Sequence, residues 1–272
     1  MRVQDLPGRE LGQCTRSYTE YDAALYALAV GAGADRLDLV YERDLSPLPT
    51  FAAALGLWAT EAVASECGYA PTSVLHIGQT LHLHMPLEPA ATVEMTAHVT
   101  DVHDKGHAAL IDIRVSSFHF DSGYLMYVRG EGGWGGARGP SARPDTDRPR
   151  PPEVARVDID SRAAALYRLT GDLQPVHIDP VAAVAAGMSG PIVHGLCTLG
   201  TIVRATAEAF GHAAVDVTDV DMRLLAPVYP STTVVLSAEE RTPGVIDVVA
   251  SVADTAVASG RMTVGAAHGP LS

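Results

Sequence analysis

Residues 171–180 read GDLQPVHIDP and place a carboxylate (Asp172), an amide (Gln174) and an imidazole (His177) in a stretch punctuated by Gly171, Pro175 and Pro180. A carboxylic acid and an imidazole on one irregular segment can hold a water between them and trade its protons, which is the equipment of general acid–base catalysis. Further along, Gly195 follows His194 at the start of the apolar run HGLCTLGTIVRATAEAFG. A main-chain N–H at the first turn of a helix lacks an intrahelical partner and suits an oxygen that gains negative charge. Acid, base and oxyanion donor together would serve chemistry beside a thioester carbonyl. Spacing alone leaves a second reading open, in which Asp172 and His177 cap or solvate an ordinary Gly/Pro turn.

Such a loop needs elements to hold it. AAALYRLT before it and VAAVAAG after it are helical text. Leu196, Leu199, Val203 and Phe210 recur at near-helical spacing with Gly211 as the stop, which predicts a long buried helix. Four strand-like stretches follow, beginning VDMRLLAPVYP, TTVVLSAEE, GVIDVVASVAD and TAVASGRMTVGA. The first half repeats this pattern. PTFAAALGLWATEAVASECG is expected to form one helix capped by Thr50, and VLHIGQTLHLHMPL, ATVEMTAHVTDVHD, AALIDIRVSSFHF and YLMYVRGEG read as strands. Between the halves, residues 136–154 are rich in Pro, Arg and Asp without apolar periodicity and read as a linker. The expected organisation is therefore residues 1–135, a linker at 136–154, and residues 155–272. The fold class is α+β, a duplicated unit of antiparallel strands around a helix.

Bulk properties narrow the function classes. The net charge of -13 over 272 residues, from 19 basic and 32 acidic side chains, argues against nucleic acid as partner. No run of about 18 apolar residues occurs, so no membrane span is expected. MRVQDLPGRE lacks a signal-peptide core, and Cys14, Cys67 and Cys197 form no CxxC pair, so a reduced, cytoplasmic protein is expected. His82 and His84 share a strand face with His76 upstream. No third ligand has recognisable metal spacing, so solvent-facing strand histidines are expected and no metal is.

LTGDLQPVHIDP…AAGMSGPIVHGLCTLG resembles the hydratase motif of the MaoC-like, (R)-specific enoyl-CoA hydratases (type 2), which are double hot-dog proteins. LYALAVGAGADRLDLVYERDLSPLPTFA, VTDVHDKGHAAL, RGEGGWGGARGP and LAPVYPSTTV resemble further blocks of that family in order, so the likeness runs through nearly the whole chain. The resemblance implies reversible addition of water to trans-2-enoyl-CoA, with Asp172 and His177 as the catalytic pair and the Gly195 amide as oxyanion donor. It implies a role for Glu42, which otherwise reads as an exposed acid. Gln174 and His194 would lie at the substrate. Gly133, Trp134, Gly135, Gly136 and Arg138 would meet CoA, with Arg129 a further phosphate contact; the alternative is a Gly-rich turn entering the linker. Lys105 reads as a hairpin-tip charge. The first half lacks GDxxPxH and would make room for the acyl chain, although its Ala-rich helix is equally plain helix-forming text. No redox cofactor is implied, since the CoA thioester is the substrate, and a homodimer is expected by analogy.

Two departures bear on substrate preference. Gln174 stands where the family has asparagine, and Ile77–Gly78 stand where it has glycine and an acid. Two other functions fit the same letters: a biosynthetic dehydratase acting on a carrier-bound acyl group, and a non-catalytic acyl binder that keeps the fold.

Overall fold

The computed structural model describes residues 1–139 and 150–265. Ten strands form one continuous antiparallel sheet. The first half supplies β1 (Glu10–Tyr18), β2 (Val74–Leu83), β3 (Ala91–Asp104), β4 (Ala108–Ser117) and β5 (Phe120–Arg129). The second supplies β6 (Glu153–Asp158), β7 (Val217–Leu224), β8 (Thr233–Thr242), β9 (Val245–Val252) and β10 (Thr255–Val264). The order β1-β3-β4-β5-β2-β7-β10-β9-β8-β6 runs 1-3-4-5-2 inward from each edge, so the two halves share a topology and meet strand two against strand two. This is a double hot-dog in which the two expected sheets fuse at the β2–β7 seam, where Gly78 faces Arg223 and His82 faces Asp219.

Seven helices lie among the described residues: α1 (Glu20–Ala29), α2 (Leu37–Val40), α3 (Phe51–Leu55), α4 (Trp58–Cys67), α5 (Ala163–Tyr167), α6 (Pro180–Ala185) and α7 (Gly195–Ala209). None is long and apolar enough to cross a membrane. α7 is the central helix of the second half, with Leu196 through Ala207 all buried, as a helix wrapped by a sheet must be. It is also fastened to the first half. Arg204, itself buried, donates from Nε to the Val30 carbonyl at 3.1 Å and from Nη1 to Glu208 at 2.6 Å, and Glu208 also pairs with Arg36.

The first-half helix differs from the expected single run. It breaks into α3 and α4 because the Tyr124 hydroxyl donates to the Ala53 carbonyl at 2.6 Å, taking the acceptor that a continuous helix would offer to Leu57. Gly56 at the break is required by closeness: a Cβ there would collide with that hydroxyl. The side chain of Thr50 makes no capping bond. Gly56→Ala is expected to destabilise the fold by about 1–3 kcal/mol, and adding Tyr124→Phe should recover part of the loss by removing the colliding oxygen. Paired denaturation midpoints would check this; no recovery in the double variant would locate the strain elsewhere.

Strands β1 and β6, which open the two halves, are not among the stretches expected from sequence. β6 overlaps the stretch expected to be linker. Residues 136–139 and 150–154, at the ends of that stretch, pack into the flanking halves. The Ala137 carbonyl accepts from Asp104 N and the Pro152 carbonyl from Ala238 N. Residues 140–149 lie outside the described part.

Candidate active site

The GDLQPVHIDP loop runs between α5 and α6 as expected, and its kink is set at Gly171. Gly171 has φ +125°, a conformation that side-chain-bearing residues rarely adopt, and a Cβ there would stand 3.2 Å from Nη1 of Arg16 on β1. Asp172 follows, half-buried, with Oδ1 accepting from the main-chain N–H of Gln174 at 3.2 Å. Pro175–His177 form a single 3₁₀ turn, which Pro175 favours by fixing its own φ. His177 donates from Nδ1 to the Ile192 carbonyl at 2.9 Å. That bond fixes the tautomer of the neutral ring and leaves Nε2 with its lone pair.

Asp172 and His177 come together with His194, their side-chain ligand atoms all within 4.8 Å of one another. Burial pushes the Asp172 carboxyl up, against the pull of His177, and pushes His177 down, against the pull of Asp172. Both shifts favour uncharged forms. Three such ligands invite the thought of a metal, but the His177 and His194 rings stack with centroids 3.7 Å apart and planes 26° apart. An ion lying in the plane of one ring would stand well out of the plane of the other, which is poor geometry for imidazole ligation.

Gly195 is the first residue of α7 and His194 its N-cap, so the Gly195 N–H has no acceptor within the helix. Two side chains border it: a Cβ on Gly195 would lie 2.7 Å from Leu224 Cδ1 and 3.9 Å from His76 Nδ1. His76 is therefore a first-half residue at this site, and strand alternation places it on the wrong side. The β2–β5 register slips between His76 and Gly78, so Ile77 is an extra residue, a β-bulge. Below the slip His76 pairs with Met126 and turns toward the core, whereas His82 remains exposed and pairs with Asp219 at 2.6 Å. Burial pushes His76 down to about 4. The Ile77–Gly78 departure thus carries the bulge, and an acid at 78 would meet Arg223, whose guanidinium occupies the space above Gly78.

Of the remaining expected residues, only Gln174 lies in the GDLQPVHIDP loop. Glu42 is exposed in the turn after α2, and among the described residues no hydrogen bond or ion pair joins it to Asp172 or His177. The side-chain amide of Gln174 has no hydrogen bond among the described residues; only its main chain serves the loop. The Gly-rich loop requires a correction. Its amides are not open to a phosphate, because the buried Asp104 carboxylate accepts from Gly133 N at 2.9 Å, Gly135 N at 2.7 Å, Gly136 N at 3.3 Å and Gly106 N at 2.7 Å. Those bonds hold Asp104 down at about 2. The glycines thus serve an internal anion first, with Trp134 packed against the core beside them. Arg138 remains exposed on this loop, near enough to Lys105 at the β3–β4 hairpin tip to lower its proton affinity, although burial lowers it more. Arg129 is exposed at the end of β5.

The buried imidazoles predict an acid-sensitive fold. His194 is pushed down to about 2 from 6.5, mainly by burial, so as pH falls the unfolded chain takes up that proton first. Stability is then full above about 6.5 and declines toward acid, at up to ~1.4 kcal/mol per pH unit for one fully buried imidazole. Half-buried His76 adds a smaller decline between about 6.5 and 4. Urea midpoints at pH 7 and pH 5 should show the decline, and His194→Phe should flatten it; equal midpoints in the parent would mean that water reaches these rings in the folded state.

Comparison with known proteins gives the family. Residues 17–129 match the MFE-2 hydratase 2 N-terminal domain and residues 143–259 the MaoC like domain. The chain is 37% identical to 3-hydroxyacyl-thioester dehydratase Y of Mycobacterium tuberculosis, over 79% of this chain and 80% of that one. It is 34% identical to enoyl-CoA hydratase ChsH3 of the same organism, over 92% and 93%. A solved MaoC-like dehydratase from Phytophthora capsici superposes with a TM-score of 0.82 at 22% identity, covering 97% of each chain, which speaks for the fold. With a double hot-dog fold and relatives of this identity and coverage, the chain belongs to the MaoC-like, type-2 enoyl-CoA hydratase family.

Proposed function

We propose that this protein is a hydro-lyase that reversibly hydrates trans-2-enoyl-CoA to (R)-3-hydroxyacyl-CoA. The observation that carries the reading is the meeting of Asp172 with a His177 whose Nε2 is left as acceptor, near the free helix end at Gly195. The names of the relatives point the same way.

In the working form the pair carries one proton, on Asp172, and His177 is neutral, the distribution that burial of both groups favours. A water lies between them. Its oxygen bonds to C3 as one of its protons passes to Nε2 of His177. The electrons of the C2–C3 double bond move onto the thioester oxygen, where the Gly195 N–H meets the developing charge. Collapse of that enolate takes the Asp172 proton onto C2. The pair ends as imidazolium and carboxylate, and one proton hop between them restores the start. All atoms of the water are then accounted for: hydroxyl on C3 and, through the pair, hydrogen on C2.

The pantetheine arm would leave the site past His76 along β2 and β5 toward the loop that follows Arg129, since β2 begins opposite the end of β5. Lys105 and Arg138 would meet the phosphates there. A carrier-bound acyl group would need only the pantetheine part of this path. Loss of enoyl-thioester absorbance is the test, across short, long and ring-bearing acyl chains, each as CoA and as plain pantetheine thioester, with chiral analysis of the alcohol. Turnover to the (R)-alcohol, faster for CoA, is the expected result. Equal rates for both carriers would favour the carrier-bound reading, and no turnover of any thioester by folded protein would sink the hydratase assignment.

A further inference from the structure

His194 was expected at the substrate; among the described residues its side chain meets Asp172, His177 and Tyr167. Its Nε2–H donates to the main-chain carbonyl of Asp172 at 3.1 Å, and its ring lies on His177. Tyr167 also packs against this ring, with centroids 4.8 Å apart and planes 41° apart. Behind Tyr167 the column of rings continues into the first half through Tyr26 at 5.9 Å, Phe51 at 5.1 Å from Tyr26, and Tyr18 at 5.2 Å from Phe51. His194 is also the N-cap of α7, and its own φ of -57° and ψ of 139° set the direction of the Gly195 N–H. The side chain is fully buried, and Nδ1 has no hydrogen-bond partner among the described residues.

We propose that His194 is a positioning residue that holds acid, base and oxyanion donor in one register: hydrogen bond to the acid's main chain, ring face to the base, backbone to the donor. The inference rests on the functional reading above, in which Asp172, His177 and Gly195 are those three groups. It assigns His194 no contact with substrate. The aromatic column gives the first half a part in the chemistry, because it backs the ring against which His177 is set. Aromatic pairs of this kind keep a preferred offset, so the last ring of the column fixes where the His177 plane can lie.

Such a strut must stay neutral, since an imidazolium could not share this stack with a second charged ring. The groups facing it are His177, Asp172, the Tyr167 ring and the guanidinium of Arg168. Burial keeps its proton affinity low, and His177 and Arg168 lower it further against the pull of the Asp172 carbonyl. With Nε2–H committed to that carbonyl, the neutral ring carries its lone pair on Nδ1.

Two variants separate the two side-chain functions. His194→Gln keeps an N–H near the Nε2 position but removes the ring, so His177 loses its platform and admits water. The acid limb of its kcat/KM profile should move up toward the ordinary histidine range, by about one pH unit. His194→Phe keeps the ring but removes the donor, so the acid limb should stay while kcat falls about 10- to 100-fold as the Asp172 backbone drifts. Both should bind the 3-hydroxyacyl-CoA product within about threefold of the parent. A tenfold loss of product affinity with kcat unchanged would make His194 a substrate contact and overturn the proposal, as would parent-like profiles in both variants. Nitrogen-detected imidazole NMR on the unmutated protein tests the strut without turnover or substitution. His194 should remain a neutral Nε2–H tautomer from pH 7.5 down to pH 4.5, and protonation within that range would overturn the proposal. A protein silent toward every thioester but retaining this NMR signature would discard the functional reading and leave the strut standing.

Discussion

Asp172→Asn is expected to lower kcat by about 10³-fold while leaving acyl-CoA binding within a few-fold of the parent. The substitution is gentle on structure. The Asn oxygen can still accept from Gln174 N, and the main-chain carbonyl that His194 holds is untouched. What vanishes is the exchangeable proton. An amide can hold the water but cannot pass a proton to C2, so the addition stalls after the oxygen has been oriented. The loss should therefore fall on kcat and kcat/KM alike, the pattern of an interaction made in the transition state. His177→Gln should cost a similar factor, and the double variant little more than either single one, because a shared proton cannot be lost twice. Single-turnover rates followed by enoyl absorbance, together with calorimetric binding of the product, would decide. A tenfold or smaller loss in Asp172→Asn would remove Asp172 from the proton path and leave it as an orienting group.

The loop that carries Asp172 and His177 is legible in the sequence because local rules are broken there, while their proposed roles as acid and base come from the family resemblance. Gly171 and Pro175 interrupt helical text, and the loop they shape is the one observed between α5 and α6. The duplication is legible too, since helix-then-strands occurs twice, and periodicity survives when residue identity between the halves is low. What is hidden depends on contacts between distant segments. β1 and β6 are edge strands whose partners lie far along the chain, and their half-exposed alternation is too irregular to stand out from loop text. The break between α3 and α4 comes from one hydroxyl on β5. His76 is hidden by arithmetic: its even spacing from His82 and His84 predicts a common face, and a single extra residue at Ile77 reverses it.

The glycine-rich loop is the sharpest case of a pattern with two causes. GEGGWGG reads as backbone opened for a ligand, and backbone is indeed what it presents, but to Asp104, 29 to 32 residues earlier in the chain. Four N–H groups around one buried carboxylate give the physical economy of an anion site, satisfied internally. Sequence cannot distinguish an anion supplied by the chain from one supplied by a ligand, because the amides require only that it be there. On the proposed function, charge recognition would fall to the side chains at the loop's edge, Arg138 and Lys105, and would weaken with salt.

Gly195 provides the second large effect, and its position lets donor and side chain be tested separately. As N1 of α7, it stands where proline is well accepted, and His194 before it already has the extended ψ of 139° that precedes proline. Gly195→Pro thus deletes the N–H while sparing the helix start. It also introduces carbon beside Leu224, whose Cδ1 lies 2.7 Å from the Cβ position, and that intrusion needs its own control. Gly195→Ala supplies it: the same Cβ meets the same flexible side-chain end, but the N–H remains. The alanine variant is expected to lose only a few-fold in kcat, and the proline variant about 10²- to 10³-fold, the usual cost of one oxyanion donor. Thermal midpoints of the two should agree within a few degrees. Because the thioester oxygen gains charge only as the water adds, the difference between the variants should appear in kcat, while product affinity stays level. Should alanine prove as damaging as proline, the cause would be crowding against Leu224 and His76, and the developing charge would have to be met by some group other than the Gly195 amide.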